Sequence, residues 1–210
     1  MDSSGRIVVG YDGSREAALA VRWAARHAKA RGCGLHLVHC STWQMVSVEA
    51  GSGPDAADGR SRHVAETIIE EGIADVVEVA PGTELSTSLV YGWPAENLRK
   101  LSSQAELLVV GSRGMGGFMG LLVGSVSLDL ASTANCPVAV IRRPERSGGP
   151  VVAGIGDEGW EFVLGQASLF ALLAGTPPAD RPRCWACLQP LLQRCSLGAG
   201  APRFRGQKRG

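Results

Sequence analysis

An excess of charge of either sign, a long apolar run and a spaced cysteine framework are all missing from this 210-residue sequence. Its formal charge of +1 offers no general attraction to polyanions, so nucleic acid is not an expected partner. No apolar stretch approaches the ~20 residues a membrane-spanning helix needs. The start, MDSSGRIVVGYDG, lacks the basic, apolar and small-residue order of a secretion signal. The expected compartment is the cytoplasm, with no membrane partner. Cys33, Cys40 and Cys136 follow no framework spacing and read as reduced, buried small side chains. Cys184-x-x-Cys187 offers half of a zinc site with only Cys195 nearby, so the four ligands of a closed site are not supplied and no resident metal is expected.

What is present is an ordinary globular composition, 45% apolar and 20% charged, in a length that fits one domain and an extension. RIVVGYDG (6–13) is a β-rich apolar run closed by Asp-Gly, a buried strand ending in a turn. Ser14 can cap the helix that follows to about Arg31. Ala17, Ala20, Val21, Ala24 and Ala28 form its apolar stripe, and Arg15, Arg22, Arg26 and Lys29 take the other side, as does His27. LHLVHC (35–40) supplies a second strand, and the small, polar residues 47–62 read as a mobile loop before a helix from about Ser61 to Asp75. LSTSLVYG (85–92) is a third strand, Pro94 opens a helix to about Gln104, ELLVVG (106–111) is a fourth strand, 124–134 a helix and CPVAVIRR (136–143) a fifth strand. Strands without polar alternation, separated by helices, imply a parallel sheet covered on both faces.

IVVGYDGSREAALAV (7–21) is echoed by PVVAGIGDEGWEFVLG (150–165), as though a second copy of the strand and turn begins and then stops. Three regions are therefore expected: a domain over 1–145, an incomplete second repeat over 146–174 able to form one strand and one helix, and a disordered tail over 175–210. The tail holds seven Lys/Arg against Asp180, a charge of +6, which leaves −5 for residues 1–174. Solvated tail is its expected state rather than a nucleic-acid arm.

Six glycines fall between Val109 and Ser127 in VVGSRGMGGFMGLLVGSVS. In an open parallel sheet, ligands sit beyond the carboxyl ends of the strands where strand order reverses. Two loops fit that description: Gly10-Tyr11-Asp12-Gly13-Ser14 and the glycine stretch. Bare backbone lets N–H groups approach an anion, and the helix starting at Gly124-Ser125 adds partial positive charge, so the expected guest is a polyphosphate. Neither the Gly-Lys-Ser/Thr ending of a P-loop nor a G-x-G-x-x-G set occurs here. Asp12 cannot usefully face phosphate, but it can accept from ribose hydroxyls or an adenine amine. Taken alone, Asp12-Gly13 fits a simple turn equally well, and the partner loop decides for a ligand. Arg113 either pairs with a phosphate or points to water.

The spacing Gly111-x2-Gly114-x9-Gly124-Ser125, with LLVVGSRGMGG before it and GSVSLDLASTANCPVAVIRR after it, resembles the nucleotide-binding signature of the universal stress protein family over about residues 5–143. The resemblance implies an α/β fold with an open five-stranded parallel sheet, Rossmann-like and adenine-nucleotide-α-hydrolase-like, with helices on both faces. It implies that Asp12 faces the nucleoside, with the backbone of Gly10 and Tyr11 beside it and the main chain of Cys40 at the adenine. It further implies that Gly111, Ser112, Arg113 and Gly114 run along ribose and phosphates, and that Gly124 and Ser125 hold phosphate at the helix start. ATP is the expected ligand, with Mg2+ able to accompany it through phosphate oxygens and Ser125 or Ser127. No catalytic constellation is evident, since His27, His36, His39 and His63 read as ordinary core or surface residues, so a regulator or sensor of stress response is expected rather than a dedicated enzyme. A homodimer through the last strand and an unidentified protein partner complete the expectation. The alternatives are a nucleotide-free dimeric scaffold and a weak adenine-nucleotide hydrolase.

Overall fold

The computed structural model describes residues 5–42, 54–115, 123–144, 151–154 and 160–173. They divide between two compact units, Met1–Arg146 and Ser147–Gly210. The first unit runs β1 (Arg6–Gly10), α1 (Arg15–Arg31), β2 (Gly34–Ser41), α2 (Pro54–Val79), β3 (Leu85–Tyr91), α3 (Pro94–Ser102), β4 (Leu107–Gly111), α4 (Ser125–Thr133) and β5 (Val138–Ile141). Every strand pair is parallel, in the order β3-β2-β1-β4-β5. The chain builds outward from β1 through β2 to β3, then crosses back to lay β4 on the other side of β1. Strand order thus reverses between β1 and β4, which is where a doubly wound sheet opens a crevice at its carboxyl edge. The fold is the expected Rossmann-like sheet with helices on both faces.

Alternation along each strand divides the core in two. On one face Val8, Val38, Leu108 and Val110 pack with Leu98 of α3 and Leu130 of α4. On the other, Ile7, Val9, Leu35, Leu37 and Val109 are buried opposite α1 and α2, which pack on β1, β2 and β4. The alanine stripe of α1 lets that helix lie close, with Ala20, Ala24 and Ala28 fully buried. Ser14 caps it, its side chain accepting from the Ala17 N–H, and Gly32 closes it in the left-handed region at φ +64°. Arg22 ties α1 to α2 through Asp75 at 2.7 Å and Glu78.

The structure departs from the sequence expectation in three places. First, α2 starts at Pro54, so residues 54–62 are helix and not loop, while residues 43–53 lie outside the described residues. Proline suits a first helical turn, an acid follows it, and Ala56 and Ala57 favour helix, which outweighs the glycines nearby. Second, His27 is buried, stacked on Trp23 with ring centroids 3.6 Å apart, because the helix packs over more of its circumference than the alanine stripe. Third, in the second unit the strand expected after Pro150 is absent at 151–154, where Val152 is 87% exposed, although a helix α5 (Trp160–Leu173) does form. A helix satisfies its own backbone, whereas a strand needs a neighbour to do so. Residues 174–210, which include the basic tail, Cys184, Cys187 and Cys195, lie outside the described residues. Cys33, Cys40 and Cys136 are free thiols, as expected, but only Cys33 is buried, Cys40 and Cys136 being half-buried at the margin of the α3/α4 core. No helix among the described residues is long and apolar enough to cross a membrane.

Leu108 sits in the middle of β4 with no exposure. Leu108→Ala is expected to lower unfolding free energy by about 2–5 kcal/mol through lost burial and a residual cavity, read from urea midpoints. A loss under about 1 kcal/mol would place this residue outside the core.

Candidate functional site

Where β1 ends, the chain turns through Gly13, whose φ of +83° suits glycine, into the cap of α1. The Asp12 carboxylate is held from two directions. Oδ1 accepts the Ser14 N–H at 3.0 Å, and Oδ2 accepts the Met115 N–H at 2.8 Å, from the loop after β4. These two loops therefore meet at one side chain. Gly114 lies so close to it that a methyl group on Gly114 would collide with Asp12 Oδ2. Each carboxylate oxygen keeps a second lone-pair direction for another donor.

Gly111 closes the same junction from below. A Cβ on it would stand 2.7 Å from the Glu16 carbonyl carbon and 2.8 Å from the Ala17 nitrogen, so the last residue of β4 touches the backbone of the first turn of α1. The buried Ser127 hydroxyl of α4 donates to the Gly111 carbonyl at 2.7 Å. That bond uses the Ser127 hydroxyl proton to tie α4 to the end of β4. The Ser112 N–H donates to Ile141 of β5 at 2.8 Å, and the Ser112 carbonyl accepts the Gly124 N–H at 2.6 Å. A Cβ on Gly124 would lie 3.4 Å from both Ser112 O and the Arg113 Cα, so α4 begins directly against the glycine loop. Gly124 provides no side-chain cap, which leaves the first-turn N–H groups of α4, Ser125 included, for a ligand or water.

On the opposite flank stand Tyr11, His39 and Cys40. Tyr11 is buried, its N–H donates to Val38 O at 2.9 Å, and its carbonyl lies 2.8 Å from His39 Nδ1. Its main chain is thus already paired inside the fold. Gly10 packs closely under Leu98, whose side-chain end a Cβ there would approach to 2.9 Å. Because Val38 O points toward β1, strand alternation turns the main chain of Cys40 the same way, past the end of β1. Its side chain packs against the α3/α4 core, and burial pushes the thiol up to about 11. The Tyr11 phenol is likewise pushed up to about 12, first by burial and then by Asp75, Glu71 and Asp12.

Of the residues expected from sequence, Asp12, Gly111, Ser112, Arg113, Gly114, Gly124 and Ser125 converge on the β1/β4 crevice. Cys40 borders it from the neighbouring strand, while Gly10 and Tyr11 support it from within. Arg113, left open between phosphate and water, instead pairs with Glu16 of α1 at 2.8 Å. Sequence reasoning missed Glu16 and Met115. Glu16 reads as a helix-dipole acid, and its pairing across 97 residues leaves no local signal; Met115 contributes only a main-chain donor. Among the described residues, no group of three or more His, Cys, Asp or Glu could hold a metal ion.

This fold and loop pair are those of one known class. The family model for the universal stress protein family matches residues 4–142, and the chain belongs to that family. A Mycobacterium tuberculosis universal stress protein is 38% identical over 136 residues, covering 65% of this chain and 44% of that one. A Mycolicibacterium smegmatis universal stress protein is 32% identical over 157 residues, covering 71% and 53%. The chain thus spans about half the length of the curated relatives it matches. Among solved structures, the Archaeoglobus fulgidus universal stress protein in complex with dAMP is 23% identical with a TM-score of 0.51, covering 67% of this chain and 100% of that one. UspA from Lactobacillus plantarum is 20% identical with a TM-score of 0.52, covering 66% and 97%. These two likenesses concern the fold.

Tyr11 predicts an alkaline limit to stability. The unfolded phenol ionises near 10.0 and the folded one near 12, so within that window the native state binds more protons and rising pH favours unfolding. The Tyr11 contribution is fully present below pH 10 and is lost as pH rises toward 12. Tyr11→Phe should flatten the fall of urea midpoints across that window; an identical slope in the variant would contradict the burial of the phenol.

Proposed function

We propose that this chain binds ATP in the β1/β4 crevice and acts as a nucleotide-dependent regulator or sensor in stress response. The observation that carries this reading is the Asp12 carboxylate, which joins the two loops beside the uncapped N-terminus of α4. One end of such a crevice accepts hydrogen bonds and the other donates them, which suits a nucleoside followed by phosphates. Asp12 would take ribose hydroxyls or the adenine amine, and the outward main chain of Cys40 would meet the base edge. The Ser125 N–H and the other first-turn N–H groups of α4 would receive phosphate, since Gly124 supplies no side chain to cap them. Mg2+ would ride on the phosphate oxygens with few protein ligands. A relative of the same fold was solved with dAMP, which is consistent with an adenine nucleotide as ligand.

Binding without dedicated turnover is the better supported use of this site. His36 Nδ1 lies 2.6 Å from Ser86 Oγ, and its pKa is lowered by burial and then by Arg6; His39 Nδ1 is engaged by the Tyr11 carbonyl and His27 Nδ1 by the Trp23 carbonyl. These rings are used by the fold, and His63 is exposed on α2. A homodimer through β5 also belongs to the proposal, since β5 is one of the two edge strands of the sheet and all four of its residues are only half-buried. Residues 146–174 are proposed to begin a second repeat, in keeping with the double length of the relatives.

The test is calorimetric titration of ATP into protein freed of nucleotide, with acid extraction of the purified sample to identify anything carried along. Asp12→Ala is expected to weaken ATP binding by about 10-fold or more, the worth of a charged hydrogen bond, and Asp12→Asn by less. Unchanged affinity in both variants would remove Asp12 from the ligand. ATP turnover with Mg2+ or Mn2+ above the buffer blank would replace the regulator by a hydrolase.

A further inference from the structure

Arg113 lies between α1, which its side chain contacts, and the start of α4, which its backbone borders. Its Nη2 donates to Glu16 Oε1 at 2.8 Å, while its Cα lies against Gly124 at the start of α4. The pair is part-exposed, with 47% of the Arg113 side chain and 23% of that of Glu16 accessible, so solvent screens it and it is weakly held. A phosphate presents the same recognition geometry as a carboxylate with more negative charge, and guanidinium binds both by paired donors. The other carboxylate in the crevice, Asp12, is occupied by the N–H groups of Ser14 and Met115. Met115 therefore anchors the loop without Arg113, whose side chain can change partner while the loop stays in place.

We propose that Glu16 is a built-in competitor for phosphate: its carboxylate holds Arg113, and the ligand must displace it to recruit the guanidinium. Glu16 is then the residue that sets how strongly the site favours long phosphate chains over a bare nucleoside. This inference rests on the ATP-binding reading above and adds to it a residue that touches the ligand only through another. Glu16 itself gains from its place in the first turn of α1, where the helix dipole favours a carboxylate whether or not Arg113 is attached. Losing its partner therefore does not leave a buried, uncompensated charge.

The test is a double-mutant cycle of Glu16→Gln and Arg113→Gln, with affinities for ATP, AMP and adenosine measured by calorimetry and folding checked by thermal melts. Glu16→Gln is expected to tighten ATP by about 2- to 5-fold, the size of one released exposed ion pair, to tighten AMP less and to leave adenosine unchanged. In the Arg113→Gln background the same substitution should gain nothing. Glu16→Asp, which keeps the charge and shortens the reach, should fall between wild type and Glu16→Gln. An equal gain with and without Arg113 would mean that Glu16 acts only as a nearby negative charge and would overturn the proposal. So would an equal gain for adenosine, or none for ATP. Wild-type protein that binds none of the three ligands would refute the ATP-binding reading itself, a result distinct from ATP binding that ignores Glu16.

Discussion

The contact on which the site depends is the one between Gly111 and the first turn of α1. At a distance where a Cβ would stand 2.7 Å from Glu16 backbone, only a hydrogen can occupy the position, and the end of β4 can reach the start of α1 only because that residue is glycine. Gly111 also pairs with Ile141 of β5 and accepts the Ser127 hydroxyl of α4. One residue thus sets the spacing of two strands and two helices at the point where strand order reverses. With that spacing fixed, Met115 falls within reach of Asp12 and Arg113 within reach of Glu16.

The glycines of the motif consequently divide by purpose. Gly111 serves packing against the α1 backbone and would be required of this sheet whatever it bound, while at Gly10 a Cβ would crowd only the end of the Leu98 side chain. Gly114 and Gly124 serve the site itself: a Cβ would meet Asp12 at the first and the Ser112 carbonyl and Arg113 Cα at the second, so their bareness lets the loop close on Asp12 and on the start of α4. Asp12 is held in one orientation by two main-chain donors. A freely rotating carboxylate would repel a phosphate that the same loop attracts.

Much of this was legible in the sequence because β1 and β4 are continuous apolar runs, β2 is apolar over most of its length apart from His36 and His39, and α1 has a clean alanine stripe. The strand-and-loop order then located the crevice, and the spacing Gly111, Gly114, Gly124, Ser125 identified the loop. What stayed hidden was long-range or non-periodic. The Arg113–Glu16 pair joins residues on separate elements, the Met115 contribution is a backbone N–H common to every residue but proline, and the bond from Ser127 to the Gly111 carbonyl spans 16 residues without a periodic signal. The start of α2 was obscured because glycine and serine around Pro54 count toward loop on composition, while helix formation depends on position relative to the proline. Beyond Arg146 the echo of the first strand and turn was visible, yet without neighbouring strands it carries no sheet information, and only the helix it predicted is found.

The central claim, that the β1/β4 crevice is the nucleotide site, is tested most directly by following backbone amide resonances of isotope-labelled protein during an ATP titration. The account predicts that the largest saturable shifts fall on Ser14, Ser112 to Met115 and Gly124 to Val126, with Cys40 following at the base edge and the core amides of α1 and β1 unmoved. Saturable shifts confined to β5 or to α5, with the amides of Ser14, Met115 and Ser125 unchanged, would contradict it.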